Sequence, residues 1–184
     1  MRELGIIRFQ PTKVDVMTDS MESVATIEKT QFTEGRAVRY PEEYHTIACQ
    51  LWADHGVTEQ EPAGAGDWLM GGRNSAGVLL GYVRYAECNQ PHEIHLAELV
   101  VDGLHRGHGV GESLIVAMAQ HLLSELPQRT EISTQPFRGD DRTFERQRWF
   151  NEFDFWMSAA DDETNGIWFA STHRVALGRR PTKT

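Results

Sequence analysis

Residues 106–111 form the segment of this chain whose composition most clearly suggests chemistry. They read Arg-Gly-His-Gly-Val-Gly, and they follow an apolar run that ends at Val101. Glycines allow a sharp turn and a close backbone approach to a ligand. The N-terminus of the helix that follows offers unpaired N–H groups and partial positive charge, and Arg106 adds a donor for phosphate oxygens. The segment predicts a phosphate site, with a glycine-rich turn that binds nothing as the alternative.

The spacing of these glycines excludes two familiar nucleotide motifs. A mononucleotide P-loop needs Gly-x-x-x-x-Gly-Lys-Ser/Thr, and no lysine lies between Lys29 and Lys183. A dinucleotide fingerprint needs Gly-x-Gly-x-x-Gly, whereas Gly107, Gly109 and Gly111 alternate with single residues. The spacing therefore fits neither the mononucleotide nor the dinucleotide motif, and a phosphate ligand of this loop is expected to be of another class.

The elements that position this loop follow from the spacing of apolar residues. Leu114, Ile115, Met118 and Leu122 share one face of a predicted helix. Polar turns and apolar runs predict the other elements, and their order predicts an α/β fold with a mixed sheet and helices on both faces. In chain order we predict a strand at 5–10, helices at about 20–35 and 41–56, strands at 68–70, 78–85 and 93–101, the helix at 110–126, a strand at 131–137, a helix capped at 140–141 and running to about 153, and a hairpin of 155–159 with 167–175.

Length and composition limit the class of protein. The 184 residues, 40% hydrophobic and 24% charged, predict one globular domain over 1–177 and a flexible tail at 178–184. A net charge of −9 disfavours nucleic acid as a partner. No apolar run approaches the ~20 residues of a membrane span, and no signal-peptide pattern begins the chain. Cys49 and Cys88 suggest reduced thiols, so we expect a cytoplasmic protein. From the charge and the apolar runs we expect neither a nucleic-acid nor a membrane partner.

The eight histidines do not form a metal motif. His92 and His95 lie close together, as do His105 and His108, but no cysteine or histidine stands at the spacing of a zinc site. We therefore expect no metal.

The segment from Val101 to Gly111 resembles the signature of the GNAT family of acyl-CoA-dependent N-acyltransferases. That signature is Gln/Arg-x-x-Gly-x-Gly/Ala after a strand that ends in Val-Asp, and here Val101-Asp102 precedes Arg106, Gly109 and Gly111. The resemblance implies a single-domain, mostly antiparallel GNAT-like sheet and acetyl-CoA as co-substrate. It also implies direct transfer of the acetyl group to a primary amine of a small molecule or a protein. Homodimers are common in the family, so a homodimer is a further expectation.

The resemblance, strong across 78–126, also assigns residues to the cofactor. In the family, pantetheine bonds to the backbone of the strand before the loop, and the pyrophosphate lies in the loop. The resemblance thus implies that pantetheine contacts Leu99, Val100 and Val101. It implies that the pyrophosphate contacts Arg106, Gly107, His108, Gly109, Val110 and Gly111.

Attack of an amine on a thioester needs a base, because amines are protonated near neutral pH. Glu98 is the leading candidate, since it stands among apolar residues such as Leu96 and Leu99, where desolvation would raise its pKa. The alternative is a structural carboxylate bonded to a neighbouring strand or paired with an arginine. His95 is the second candidate, and a strand N–H near Val100 would stabilise the oxyanion.

The chain departs from the family where a tyrosine usually protonates the departing thiolate. The family pattern resembles Phe-Tyr-x-x-x-Gly-Phe, and residues 149–155 read Trp-Phe-Asn-Glu-Phe-Asp-Phe, which places Phe150 at the tyrosine. The thiolate then leaves unaided, water supplies the proton, the alignment is shifted, or the chain only binds the cofactor. Two functions therefore stay open, an N-acetyltransferase and a CoA-binding regulatory module. In this family the acceptor is set by the region between the first two helices, roughly Thr33–Tyr44, and by the last hairpin turn.

Overall fold

The computed structural model describes residues 23–31, 43–44, 46–49, 66–135, 143–157 and 167–179. Its strands are β1 (Thr26–Gln31), β2 (Trp68–Arg73), β3 (Leu79–Glu87), β4 (Glu93–Val101), β5 (Glu131–Thr134), β6 (Trp156–Met157) and β7 (Trp168–Ser171). Its helices are α1 (Val110–Glu125), α2 (Thr143–Asn151) and α3 (Thr172–Ala176), with a 3-10 turn at Gly103–His105 and helical backbone at 43–44 and 46–49.

The described strands form one sheet in the order β1-β2-β3-β4-β5-β7-β6. Every neighbouring pair is antiparallel except β4 and β5, which are parallel. The mixed, mostly antiparallel sheet predicted from the sequence is therefore confirmed. The predicted strand at 5–10, the hairpin turn at 161–166 and the tail beyond 179 lie outside the described residues.

Strand β1 corrects the prediction of a helix over about 20–35. All six of its residues pair antiparallel with β2, from Thr26 opposite Arg73 to Gln31 opposite Trp68. The sequence does not show the alternation of polar and apolar residues that predicts a strand, because the apolar Ile27 and the charged Lys29 lie on the same face. The Lys29 ammonium bonds to His121 of α1. Pairing with a distant strand decides the conformation here.

The segment 167–175 was predicted as one strand, and this too is corrected. Strand β7 ends at Ser171, opposite Glu131 at the start of β5, so the pairing partner ends there. The chain then turns into helix α3, and the Thr172 hydroxyl donates a 2.9 Å hydrogen bond to the Arg129 carbonyl. The short length of β5 thus limits β7.

Helices cover both faces of the sheet. Helix α1 packs its buried side, which includes Leu114, Met118 and Leu122, against the larger core cluster. On the opposite face the helical residues Tyr44, Ile47 and Ala48 form a smaller cluster with residues of β2, β3 and β4. The sheet is therefore buried on two sides, as a three-layer α/β fold requires.

The functional region is created where β4 and β5 separate. In their parallel pairing, only Glu93–Leu96 of β4 lie opposite Glu131–Thr134 of β5. The β3–β4 register shifts between Arg84 and Tyr85, so Ala97 is the extra residue of a bulge in β4. At the point of separation the Thr134 hydroxyl donates a 3.1 Å hydrogen bond to the Leu96 carbonyl. Beyond it, β4 runs on to Val101 without β5 beside it.

Candidate active site

The opening between β4 and β5 is a cleft of about 460 Å³. One wall is the second half of β4, the floor is the glycine loop with the first turn of α1, and the other wall belongs to β5 and α2. We call it the β4–β5 cleft. Its described lining residues are Leu96–Val101, His105–Gly107, Gly109–Glu112, Thr134, Gln135, Glu145, Arg146, Trp149, Phe150 and Arg179.

The glycine loop has the backbone that a phosphate site requires. Gly107 and Gly109 have φ of +82° and +80°, a left-handed conformation that other residues adopt with strain. A Cβ on either glycine would meet nothing within 4 Å, so this space is open to a ligand. Gly109 is the N-cap of α1 and has no side chain with which to cap the helix. The first N–H groups of α1 therefore lack an intrahelical acceptor, and the residues of this turn line the cleft.

Two side chains hold the loop against the end of β4. The Asp102 carboxylate accepts a 2.8 Å hydrogen bond from the Leu104 N–H and caps the 3-10 turn. The Arg106 Nε donates 3.2 Å to the Val101 carbonyl, so its guanidinium is fixed at the edge of the cleft. Arg106 thus combines a structural bond with a position suited to phosphate oxygens.

Glu98 lies in the cleft wall with polar partners. Its Oε2 accepts a 2.9 Å hydrogen bond from the Tyr82 hydroxyl, and its Oε1 accepts a 3.2 Å hydrogen bond from Arg84 Nη2. Arg84 Nη1 in turn donates 2.8 Å to Asp67 Oδ2. The Arg84 and Asp67 side chains are only 6% and 9% exposed, against 14% for Glu98. The apolar surroundings expected from the sequence are therefore replaced by a buried network that holds the Glu98 carboxylate at the cleft.

Phe150 lies in the opposite wall of the cleft. Its ring is 7% exposed and packs edge-on against Trp149 and Phe155, with centroid distances of 5.1 and 5.0 Å. Phe150 therefore belongs both to the core and to the cleft lining, and it offers no proton donor there. The Tyr82 hydroxyl, which comes from β3, bonds Glu98 of β4 and therefore lies at the wall opposite Phe150.

The structure brings together most of the residues that the sequence predicted. Glu98, Leu99–Val101, Arg106, Gly107 and Gly109–Gly111 all line the cleft. His108 is exposed and is not among the described lining residues. His95 lies away from them, with Nδ1 3.2 Å from the Ser133 hydroxyl. Within the described residues no cluster of histidine, cysteine, aspartate or glutamate could hold a metal, and no helix could cross a membrane.

Sequence reasoning missed the residues that come to the cleft from distant segments. Arg84 reaches Glu98 from β3, and Asp67, the residue before β2, accepts a hydrogen bond from Arg84. Trp149 and Arg179 line the cleft from α2 and from the C-terminal segment. The alternation of Tyr82 and Arg84 along β3 places them on one face and could have indicated Arg84. No local signal indicated Arg179.

Comparison with known proteins agrees with this geometry. Residues 21–147 match the model of the acetyltransferase (GNAT) family, which is more than half of the chain. The chain therefore belongs to the GNAT family of acetyltransferases. No curated protein sequence is significantly similar to it.

Two solved structures illustrate the shared fold. An acetyltransferase of the GNAT family from Staphylococcus aureus Mu50 superposes with a TM-score of 0.57 at 10% identity, over 79% of this chain and 99% of that one. An aminoglycoside 6′-N-acetyltransferase complexed with coenzyme A superposes with a TM-score of 0.54 at 11% identity, over 78% and 96% of the two chains. At these identities the similarity defines the fold, while the substrate has to be argued from the site.

Proposed function

We propose that this protein transfers an acetyl group from acetyl-CoA directly to a primary amine of a small molecule or a protein. The observation that carries the proposal is the β4–β5 cleft, in which an unpaired strand edge leads from the glycine loop to Glu98. A strand edge suits an amide-bearing chain, and the loop with the first turn of α1 suits phosphates. One elongated ligand with both parts fits this arrangement.

The residues of the cleft divide the binding of acetyl-CoA between them. Leu99 and Val101 offer backbone groups to the pantetheine, because β5 no longer pairs with this part of β4, whereas the backbone groups of Val100 between them point to β3. Arg106 and the N–H groups of residues 107–111 bind the pyrophosphate. Since most of these contacts come from backbone, they depend on loop conformation more than on side-chain identity.

Glu98 is the proposed base. The protonated acceptor amine loses one proton to the Glu98 carboxylate, directly or through one water, and the freed lone pair forms the C–N bond as the C–S bond breaks. The nitrogen then releases its second proton to solvent and becomes the neutral amide. An N–H of β4 near Val100 stabilises the negative charge on the carbonyl oxygen. Tyr82 and Arg84 keep the carboxylate in place on the cleft wall.

The sulfur leaves as a thiolate, because Phe150 has no proton to give. A thiol has a pKa of about 8.5, so a thiolate is a tolerable leaving group near neutral pH, and solvent supplies its proton. The wall formed by Phe150 and Trp149 instead contributes apolar packing.

A second function, a CoA-binding module without turnover, is favoured by two observations. Both oxygens of Glu98 already accept hydrogen bonds, which reduces its freedom to take a proton. The cleft also lacks a hydroxyl at Phe150. The phosphate loop supports this function as well as the first one.

The test is CoA release from acetyl-CoA with a panel of primary amines, combined with calorimetric titration of CoA. The panel should include polyamines, aminoglycosides, amino acids and lysine peptides. Amine-dependent release of CoA, with an N-acetylated product in the mass spectrum, is the expected result. Binding of CoA without release for every amine would indicate the module, and absence of CoA binding would contradict both functions.

A further inference from the structure

Arg179, in the segment after α3, bridges the two helices that border the glycine loop. Its Nε lies 3.1 Å from Glu112 Oε2, and its Nη1 lies 3.2 Å from Glu152 Oε2. Glu112 belongs to the first turn of α1, and Glu152 directly follows α2. Glu112 and Arg179 both line the β4–β5 cleft. One guanidinium therefore compensates two carboxylates beside the predicted phosphate site.

The same guanidinium packs over the aromatic wall of the cleft. Its Cζ lies 5.7 Å from the centre of the Trp149 ring and 5.9 Å from that of Phe153. Trp149 Cζ2 is 3.6 Å from the place that a Cβ on Gly111 would take, so the indole lies against the loop. Gly178, with φ of +77°, brings the chain to within contact of Glu112. The C-terminal segment is thus seated on the start of α1.

Glu112 would oppose phosphate binding if its charge were uncompensated. A carboxylate in the first turn of a helix is favoured by the helix dipole, and it occupies the same field that would attract a phosphate. The first turn of α1, with Glu112 in it, lines the cleft, so a polyanionic ligand bound at this turn lies near a like charge. Arg179 is the described cation that pairs with this carboxylate.

We propose that Arg179 is a cofactor-affinity residue, which masks Glu112 and Glu152 so that the first turn of α1 can accept phosphate groups. This inference rests on the proposed function, because it takes the ligand to be CoA. It gives the C-terminal segment a role in binding a polyanion to a chain whose net charge is −9.

The experiment measures the Kd of CoA by calorimetry at low ionic strength, where screening is weakest. Arg179→Gln should weaken CoA binding by about five- to tenfold, as expected for partly exposed charges facing several phosphates. Glu112→Gln added to this variant should recover at least about threefold, because the unmasked charge is then absent. Arg148→Gln is the matched control, since it removes the same charge from an exposed position of α2 outside the cleft lining, and it should change the Kd by less than about twofold.

Three results would overturn the inference. They are an unchanged Kd in Arg179→Gln, a weakened Kd without recovery on adding Glu112→Gln, and an equal loss in Arg148→Gln. The second would assign the effect to packing on Trp149, and the third to net charge alone. Should Arg179→Gln fail to fold, Glu112→Gln alone must change the Kd of CoA by less than about twofold, because Arg179 already compensates this carboxylate, and a tightening of about threefold or more would then refute the masking. Wild-type protein that binds no CoA would refute the proposed function and this inference together.

Discussion

Replacing Glu98 with glutamine separates its proposed role as a base from its role in the buried network. Glutamine keeps the shape of the side chain and one acceptor oxygen but cannot take a proton. If Glu98 is the base, the rate at saturating substrate should fall by ~10²-fold or more, which corresponds to about 2.7 kcal/mol of activation free energy.

The cost in stability can be worked out from the contacts. Glu98 accepts one hydrogen bond from Tyr82 and one from Arg84, and the amide can accept only one of them through its oxygen. A hydrogen bond to a charged group contributes about 1.5–3 kcal/mol. Because Glu98 is 14% exposed and Arg84 keeps Asp67, we expect a loss of about 1–2 kcal/mol. For a chain of this size that lowers Tm by about 2–8 °C.

Tyr82→Phe is the control for this variant. It removes the 2.9 Å hydrogen bond to Glu98 and leaves the carboxylate in place. We expect a similar loss of stability and a rate that falls less than about tenfold. Steady-state kinetics at saturating substrate and thermal unfolding measure both quantities. If Glu98→Gln loses stability but keeps its rate, Glu98 is a structural residue and the base lies elsewhere.

Three further changes test other parts of the site. Gly109→Trp should abolish measurable CoA binding in calorimetry, because Gly109 lines the cleft at φ +80°. The control is Gly103→Trp, which should bind CoA normally because Gly103 is outside the lining residues and not at positive φ. Equal affinities of the two variants would exclude the loop as the phosphate site. Phe150→Tyr should preserve or raise turnover if the added hydroxyl faces the cleft, while a loss of several kcal/mol in denaturant unfolding would mean a hydroxyl buried without a partner. Burial, and then the Lys29 ammonium 3.0 Å away, lower the pKa of His121 below 6.5. The unfolded chain therefore binds a proton that the folded chain does not, so stability should fall as pH drops below about 6.5, with a shallower slope in His121→Gln; equal slopes from pH 7.5 to 5.5 would contradict this assignment.

Local features of the sequence were sufficient to predict the phosphate loop. Positive φ at Gly107 and Gly109 is a property of single residues, and the change from strand to helix spacing on either side is visible within about thirty residues. The same local pattern predicted β4 and α1 to within one residue of their observed ends. These elements need no distant partner to be recognised.

Only the tertiary structure decided the conformations and contacts that depend on distant segments. β1 is a strand because β2 pairs with it, and α3 is a helix because β5 is too short to extend β7. Glu98 bonds Arg84 because β3 pairs with β4, and Arg179 reaches Glu112 because the chain returns to α1 after α3. The sequence alone was sufficient to propose where phosphate binds, since that proposal depends on local backbone freedom and on a helix N-terminus. The charge environment of Glu98 and of the phosphate loop is set by residues far apart in the chain, so it depends on the fold.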